Sequence, residues 1–396
     1  QRHERDPFPE DQIDTFWELR FPDCPCCGGK LKDDPVLEPK KLQQVELIGI
    51  PTRVEEYHRV GQRCTQCDKI HFVPWPEDLA KAGLVGLRLT AFVGFLKGAC
   101  HMSFSSIRKF LRDVVKVRIS HGQLRKLIAK VSGSLADPYE ELLRLLPHED
   151  HLHVDETGHK DNGKRMWTWC FRAAMFTLFK ISPSRGSEVL FEVLGQEFSG
   201  TIGCDYFSAY RKYMRLNDNV LVQFCLAHLI RDVKFLVGHP NSKNRAYGRR
   251  VLAALKSLFD VIHRREEMTE AGFARRLQSV AKELEHQATY RVPPVKESQN
   301  LAERFRQHGE SYLRFITTPG IEPTNNLAEQ AIRFVVIDRK ITQGSRSESG
   351  QTWLERIWTV TSTCAQTGRS AFEFITDAVI ANFTSQPAPS LLHDTS

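Results

Sequence analysis

The spacing of hydrophobic and polar positions changes character twice along the chain. Over residues 76–145 apolar side chains recur at helical intervals: 84–97 is apolar and free of proline, and 105–115 places Ile107, Phe110, Leu111 and Val114 on one face. After the short break KVRI, Ser120 is placed to cap a second helix running to Val131, with Leu124, Leu127 and Ile128 inward and Arg125, Lys126 and Lys130 outward. Two helices so joined resemble a helix-turn-helix, which would send Arg125, Lys126 and Lys130 to phosphates or base edges in a major groove. A plain helical hairpin with a solvated basic face carries the same pattern.

From residue 150 the period shortens to that of strands. Residues 151–155, 166–172 and 176–181 read as three neighbouring strands, the first two joined by the turn Asp161-Asn162-Gly163. A helix fits 186–194, closed by Gly195, and 201–204 and 220–224 are a fourth and a fifth strand. Strand, strand, strand, helix, strand, helix, strand is the succession of an α/β, ribonuclease-H-like core, with the first strand central and the fourth beside it. Residues 230–318 return to helical spacing, rich in Arg and Lys, and read as a helical insertion. The predicted organisation is a zinc ribbon over 1–75, the helical region over 76–145, and the first part of the core over 146–229. The insertion follows over 230–320, and the rest of the core with C-terminal helices over 321–396.

Three acids occupy corresponding places in this scheme: Asp155 on the first strand, Asp205 at the end of the fourth, and Glu329 in a helix near the end. Carboxylates brought together in this way hold divalent ions that activate a water or a 3′-hydroxyl on one side of phosphorus and stabilise the leaving oxygen on the other. Each acid also has a plain reading: a strand-end turn for Asp155, a helix cap for Asp205, and a capping box with Asn326 for Glu329. Alternation along the strand sends Glu156 to the opposite face from Asp155, so its loss is expected to be milder. His151, His153 and Asp155 share one strand face, a spacing found in zinc hydrolases, but Glu156 stands where the next ligand would be.

The cysteines add a second metal pattern. Cys24 and Cys27, then Cys64 and Cys67, form two C-x-x-C knuckles able to close a tetrahedral Zn²⁺ site, with strand-like stretches at 44–54 and 57–60 between them as in a zinc ribbon. Cys26 competes for a place in the first knuckle. Cys100, Cys170, Cys204 and Cys364 read as small core residues. Lys and Arg exceed Asp and Glu by 55 to 48, a net +7 compatible with nucleic acid. No apolar run approaches the ~20 residues that cross a bilayer, so no membrane role and a cytoplasmic, nucleoid location are expected. The chain begins at Gln1 rather than Met, so a further N-terminal piece is expected.

The strings His153-Val-Asp-Glu-Thr-Gly158, Ser184-Arg-Gly186, Gly203-Cys-Asp-Tyr-Phe-Ser-Ala-Tyr210, Cys225-Leu-Ala-His228, Thr324-Asn-Asn-Leu-Ala-Glu329 and Arg339-Lys340 resemble the DDE transposases of the bacterial insertion sequence 66 family. The resemblance runs from the first knuckle as far as Phe383. It implies Asp155, Asp205 and Glu329 as the acidic triad with Mg²⁺ or Mn²⁺, and Cys225 with His228 as a C-x-x-H signature. It also implies action on terminal inverted repeats and target DNA, and cooperation with element-encoded accessory proteins. A coiled-coil-like region commonly precedes the ribbon in that family, and only a short segment precedes Cys24 here. Helical spacing puts His228 and Arg231 on one side of a turn. Arg333, Arg339, Lys340 and Arg346 cluster after Glu329 and suit the DNA backbone. The expectation is a DNA transposase working as a homo-oligomer on DNA; a nuclease or resolvase on the same fold, or a DNA-binding protein that has lost its chemistry, is the alternative.

Overall fold

The computed structural model of the chain describes residues 9–15, 21, 23–30 and 51–392. Two units are distinguished, Gln1–Glu56 with Val114–Lys116, and Tyr57–Asp113 with Val117–Ser396. In the first, the described residues hold a 3₁₀ turn at Glu10–Gln12 and the first cysteine knuckle. Residues 44–50 of one expected strand lie outside the described residues, and 51–61 carry no strand. The second knuckle sits instead between two short antiparallel strands, β1 (Gln62–Arg63) and β2 (Ile70–His71).

Five helices follow: α1 (Glu77–Ala82), α2 (Leu87–Gly98), α3 (Phe104–Asp113), α4 (His121–Ser134) and α5 (Ala136–Leu145). By length and composition Glu77–Gly98 is apolar enough to cross a bilayer, contrary to the expectation from the sequence. The stretch is broken between Ala82 and Leu87, and Ala91, Val93 and Leu96 are buried where α2 packs on α4 and on α15 (Ala371–Phe383), so its apolarity serves a protein core. Ser120 caps α4 by accepting from the Gln123 N–H at 3.1 Å, and Leu124, Leu127 and Ile128 are buried. Val114 is 40% exposed because α3 stops one residue before it. Residues 114–120 separate α3 from α4, a longer link than the three- or four-residue turn of a helix-turn-helix.

The central sheet contains β3 (His151–Asp161), β4 (Lys164–Arg172), β5 (Thr177–Ser182), β6 (Thr201–Cys204) and β7 (Leu221–Phe224), in the order β5-β4-β3-β6-β7. β4 runs antiparallel to β3 and β5, whereas β6 and β7 run parallel to β3. Asn162 and Gly163 both take positive φ (46° and 80°), the conformation that a two-residue hairpin turn requires. β3 runs six residues past its expected end: the buried alternation of Leu152, Val154 and Glu156 is followed by His159, buried on the opposite face of the strand.

α6 (Glu188–Leu194) and α7 (Ser208–Leu216) connect the later strands. The long excursion is α8 (Leu226–Val237), α9 (Ser242–His263), α10 (Glu270–Thr289), α11 (Lys296–Tyr312) and α12 (Arg314–Thr317). The chain then returns through α13 (Asn326–Thr342), against β3 and β4, and α14 (Glu348–Thr367), against β5. α14 completes the outer edge of the sheet: Glu355, Thr359 and Thr363 accept the N–H groups of Ile181, Phe179 and Thr177 at 2.6, 3.0 and 3.1 Å. Four residues of helix rise about 6 Å and two of strand about 6.6 Å, so the two series stay in step. An edge strand is thereby closed to further pairing.

Candidate active site

The parallel ladder fixes where the first two acids stand. His151, Leu152 and His153 of β3 lie opposite Thr201, Ile202 and Gly203 of β6, so two residues later Asp155, still on β3, and Asp205, the first residue past the end of β6, follow at the corresponding level. Gly203 leaves room for the His153 ring, since a Cβ there would approach its Nδ1 to 3.0 Å, tighter than an ordinary contact. Cys204 of β6 lies opposite Phe224 of β7, and the Cys225 N–H donates to the Cys204 carbonyl at 2.8 Å, so Cys225 begins α8 at the same edge. The Glu156 and Phe207 N–H groups donate to Asp155 Oδ1 and Asp205 Oδ1 at 2.9 and 2.8 Å.

Glu329 is brought to this edge by Asn325. The Asn325 side chain donates to the Val154 carbonyl at 2.8 Å, its Oδ1 faces His153 Nδ1 at 3.1 Å, and its backbone N–H donates to Cys225 Sγ at 3.1 Å. The Leu226 N–H donates to the Pro323 carbonyl at 2.9 Å. The start of α13 is therefore pinned to β3 and α8 together. The capping box expected between Asn326 and Glu329 does not form: Asn325 is the N-cap residue, and its side chain is engaged across the sheet. Asn325 was not singled out from the sequence, because an Asn ahead of a helix reads as a cap.

Glu329 Oε1 lies 3.4 Å from His228 Nδ1. The ligating atoms of Cys225, His228 and Glu329 fall within 4.8 Å of one another, a donor set able to hold a metal ion. Both His228 Nδ1 and Glu329 Oε1 are buried without a hydrogen-bond partner. The Cys225 sulfur first, then the Glu329 carboxylate, hold His228 above the ordinary imidazole value against the opposing effects of burial and Arg231. Burial raises Asp155 to about 7, helped by the charges of Glu156, Asp205 and Glu329. The zinc-hydrolase alternative loses His153 to Asn325, and burial keeps that imidazole neutral by lowering its pKa.

Glu156 does face away from Asp155, but into the interior. Its Oε1 pairs with Arg185 at 2.7 Å, and Tyr210 donates to Oε2. Arg185 belongs to the S-R-G string, whose place in the fold is thus to neutralise a buried acid.

The family model described as "Transposase IS66 family" matches residues 82–352, more than half of the chain. The chain belongs to the IS66 transposase family. The matched segment holds Asp155, Asp205, Glu329, Cys225 and His228, and leaves both cysteine knuckles outside it. This IS66-family chain is also 24% identical over 349 residues to "Uncharacterized protein y4qI" of Sinorhizobium fredii, an alignment covering 80% of the chain and 63% of that relative. The chain thus spans under two thirds of the relative's length.

The predicted DNA-contacting cations of this transposase-family chain occupy different settings. Arg125 and Lys126 are exposed on α4, whereas Lys130 donates to the carbonyls of Lys81 and Ala82 at 2.6 and 3.0 Å and closes the end of α1. Arg231 and Arg333 are exposed on α8 and α13. Arg339 donates to Thr157 Oγ1 at 3.2 Å, and with Lys340 and Arg346 it lines a cleft of about 760 Å³ against the β3–β4 turn.

The two knuckles, each taken by itself, make the same turn. The Gly28 N–H donates to the Cys24 carbonyl, and the Cys24 N–H to the Gly29 carbonyl, both at 2.8 Å. The Asp68 N–H donates to the Cys64 carbonyl at 3.0 Å, and the Cys64 N–H to the Lys69 carbonyl at 2.9 Å. Gly28 and Asp68 both take positive φ. Cys27 therefore corresponds to Cys67, and Cys26 has no counterpart. N–H groups within each turn, first that of Cys26 for Cys24 and that of Cys67 for Cys64, lower the pKa of the leading thiol.

Proposed function

We propose that this chain cuts its element at terminal inverted repeats and joins the freed 3′-hydroxyl to target DNA, using Asp155, Asp205 and Glu329 on a ribonuclease-H-like core. The observation that carries the reading is the placement of Asp155 on β3 level with Asp205 at the end of the adjacent parallel strand β6, with Asn325 bringing the Glu329 helix to the same edge. The strand order, with its second strand reversed, supports the fold assignment. Family membership supports the activity.

The chemistry of the three acids, Asp155, Asp205 and Glu329, suits Mg²⁺ or Mn²⁺: carboxylate oxygens are hard ligands, Asp155 is raised in part by neighbouring negative charge, and Glu329 Oε1, which also belongs to the Cys225–His228–Glu329 group, is buried with no hydrogen-bond partner. Bound there, such ions supply activation of the attacking oxygen and stabilisation of the leaving one. The chain's own part is to hold the acids in place. Asn325 fixes the approach of α13, Glu156 with Arg185 and Tyr210 anchors the strand beneath Asp155, and His228 stands 3.4 Å from the Glu329 carboxylate. The spacing and the matching turns of the knuckles support a separate structural Zn²⁺ on Cys24, Cys27, Cys64 and Cys67. The protein acts in the cytoplasm at the nucleoid, as a homo-oligomer on DNA with the element's accessory proteins.

The test is strand transfer. A pre-cut inverted-repeat end with a 3′-hydroxyl should be inserted into plasmid DNA in Mg²⁺ or Mn²⁺ with the accessory proteins present, and the same end with a 3′-deoxy terminus should be bound but not joined. Efficient cutting that never yields joined molecules would replace this reading with a nuclease.

A further inference from the structure

The cleft beside the β3–β4 turn is a built feature. Gln343 and Gly344 leave α13 with positive φ (63° and 88°), and a Cβ on Gly344 would collide with the Lys160 carbonyl. The Ser345 N–H donates to that carbonyl at 3.0 Å, the Asn162 N–H donates to the Ser345 carbonyl at 2.9 Å, and Ser345 Oγ meets His159 Nε2 at 3.0 Å. The α13–α14 connection is thereby fastened to the hairpin. Into the cleft between them come Lys160, Arg165, Arg339, Lys340 and Arg346, with no carboxylate among the lining residues.

None of these five cations forms an ion pair with a described residue; Arg165 lies over the Trp167 ring at 4.8 Å, and Arg339 donates to Thr157. Five like charges on rigid elements repel one another, and an anionic ligand relieves that repulsion. Thr157 lies two residues beyond Asp155 on the same strand face and receives Arg339, so the α13 side of the cleft continues the carboxylate edge, while Lys160 and Arg165, opposite each other across the hairpin, line the cleft from the other face of β3 at its tip.

Resting on the transposase reading, we propose that this cleft holds backbone phosphates of the same duplex a few base pairs from the reacting one, with Lys160 and Arg165 of the hairpin as contacts alongside Arg339, Lys340 and Arg346. Five strand residues from Asp155 to Lys160 span about 16 Å. Phosphates along one strand of a duplex advance about 3.4 Å of axis per base pair, so for a duplex lying along β3 the contacts fall about five base pairs from the reacting phosphate.

The experiment compares Lys160→Ala with Arg165→Ala, made together, against a charge-matched control, Lys256→Ala with Arg276→Ala, on exposed positions of α9 and α10. Binding to a random-sequence duplex is followed over a range of salt, with melting curves to confirm folding. The cleft variant should bind more weakly to all sequences, and its slope of log affinity against log salt should be shallower by about 2. The control should match the wild type. On a terminal-repeat duplex, a neutral methylphosphonate about five base pairs from the cut should weaken the wild type and not the cleft variant. An unchanged slope in the cleft variant, or an equal loss in the control, overturns the site while leaving the transposase reading standing. If the wild type fails to bind DNA at all, both fall together.

Discussion

Asn325 Nδ2 donates to the Val154 carbonyl at 2.8 Å, one residue before Asp155 on β3 and four before Glu329 on α13. With the amide nitrogen so used, Oδ1 is the acceptor toward His153, whose Nδ1 therefore carries the proton. Asn325→Ala should cost about 1–3 kcal/mol of stability, because buried partners on two elements lose their hydrogen bonds. A shift of α13 by about an ångström should lower strand transfer roughly 100-fold, with DNA binding retained. Wild-type transfer by a folded Asn325→Ala protein would show that Asn325 does not position Glu329.

Asp155→Asn, Asp205→Asn and Glu329→Gln should each abolish cleavage and preserve DNA binding, since an amide keeps the shape and loses the charge. Asp155 adds a pH signature. Its raised value penalises the metal-free fold as pH climbs from the ordinary 3.8 through about 7, where the unfolded chain has already released its proton. Melting in chelator should show Asp155→Asn more stable than the wild type at pH 8 and equal to it at pH 3. Mg²⁺ should raise the wild-type melting temperature more at pH 8 than at pH 6. A destabilised Asp155→Asn at pH 8 would contradict this.

Glu156→Gln should be a stability variant more than a catalytic one. Its carboxylate is buried between Arg185 and Tyr210, and weakening that network should cost about 1–3 kcal/mol. Denaturant unfolding checks it: equal stability with lost cleavage would move Glu156 into the reacting group.

His159 is buried, and burial, assisted by Arg339, lowers its pKa to about 4. The unfolded imidazole takes up a proton near 6.5, so stability should be full above that value, decline as pH falls to about 4, and level off below. The contribution of this one group is about 3 kcal/mol. His159→Gln, which does not titrate, should flatten that part of the curve; an unchanged curve would exclude His159 as its source.

Purified protein should carry one zinc, lost in Cys64→Ser with Cys67→Ser and kept in Cys26→Ser, because only Cys27 matches Cys67 in the turn. Zinc loss with Cys26→Ser alone would reassign the first knuckle.

The strands that bury an unbroken apolar run were legible to within a residue or two, as were the hairpin turn and the Ser120 cap. Two kinds of feature were not. The second half of β3 reads as a polar turn, because Glu156 and His159 are buried only by partners distant in sequence, Arg185, Tyr210 and Ser345. Glu355, Thr359 and Thr363 look like an ordinary polar stripe until β5 supplies the N–H groups they receive. Among the candidate site residues, the acids stood out through their place in the element succession. Asn325 did not, because its role depends on Val154, 171 positions away.

That separation along the chain has a consequence for synthesis. β3, β6 and β7 are complete by Phe224, about a hundred residues before α13 emerges, and contacts between distant segments form late. A nascent or prematurely terminated polypeptide ending before Asn325 has two carboxylates and nothing to bring a third. For an enzyme proposed to break the chromosome of its host, the order of translation would thus work as a safety catch, released only once the message has been read past α13.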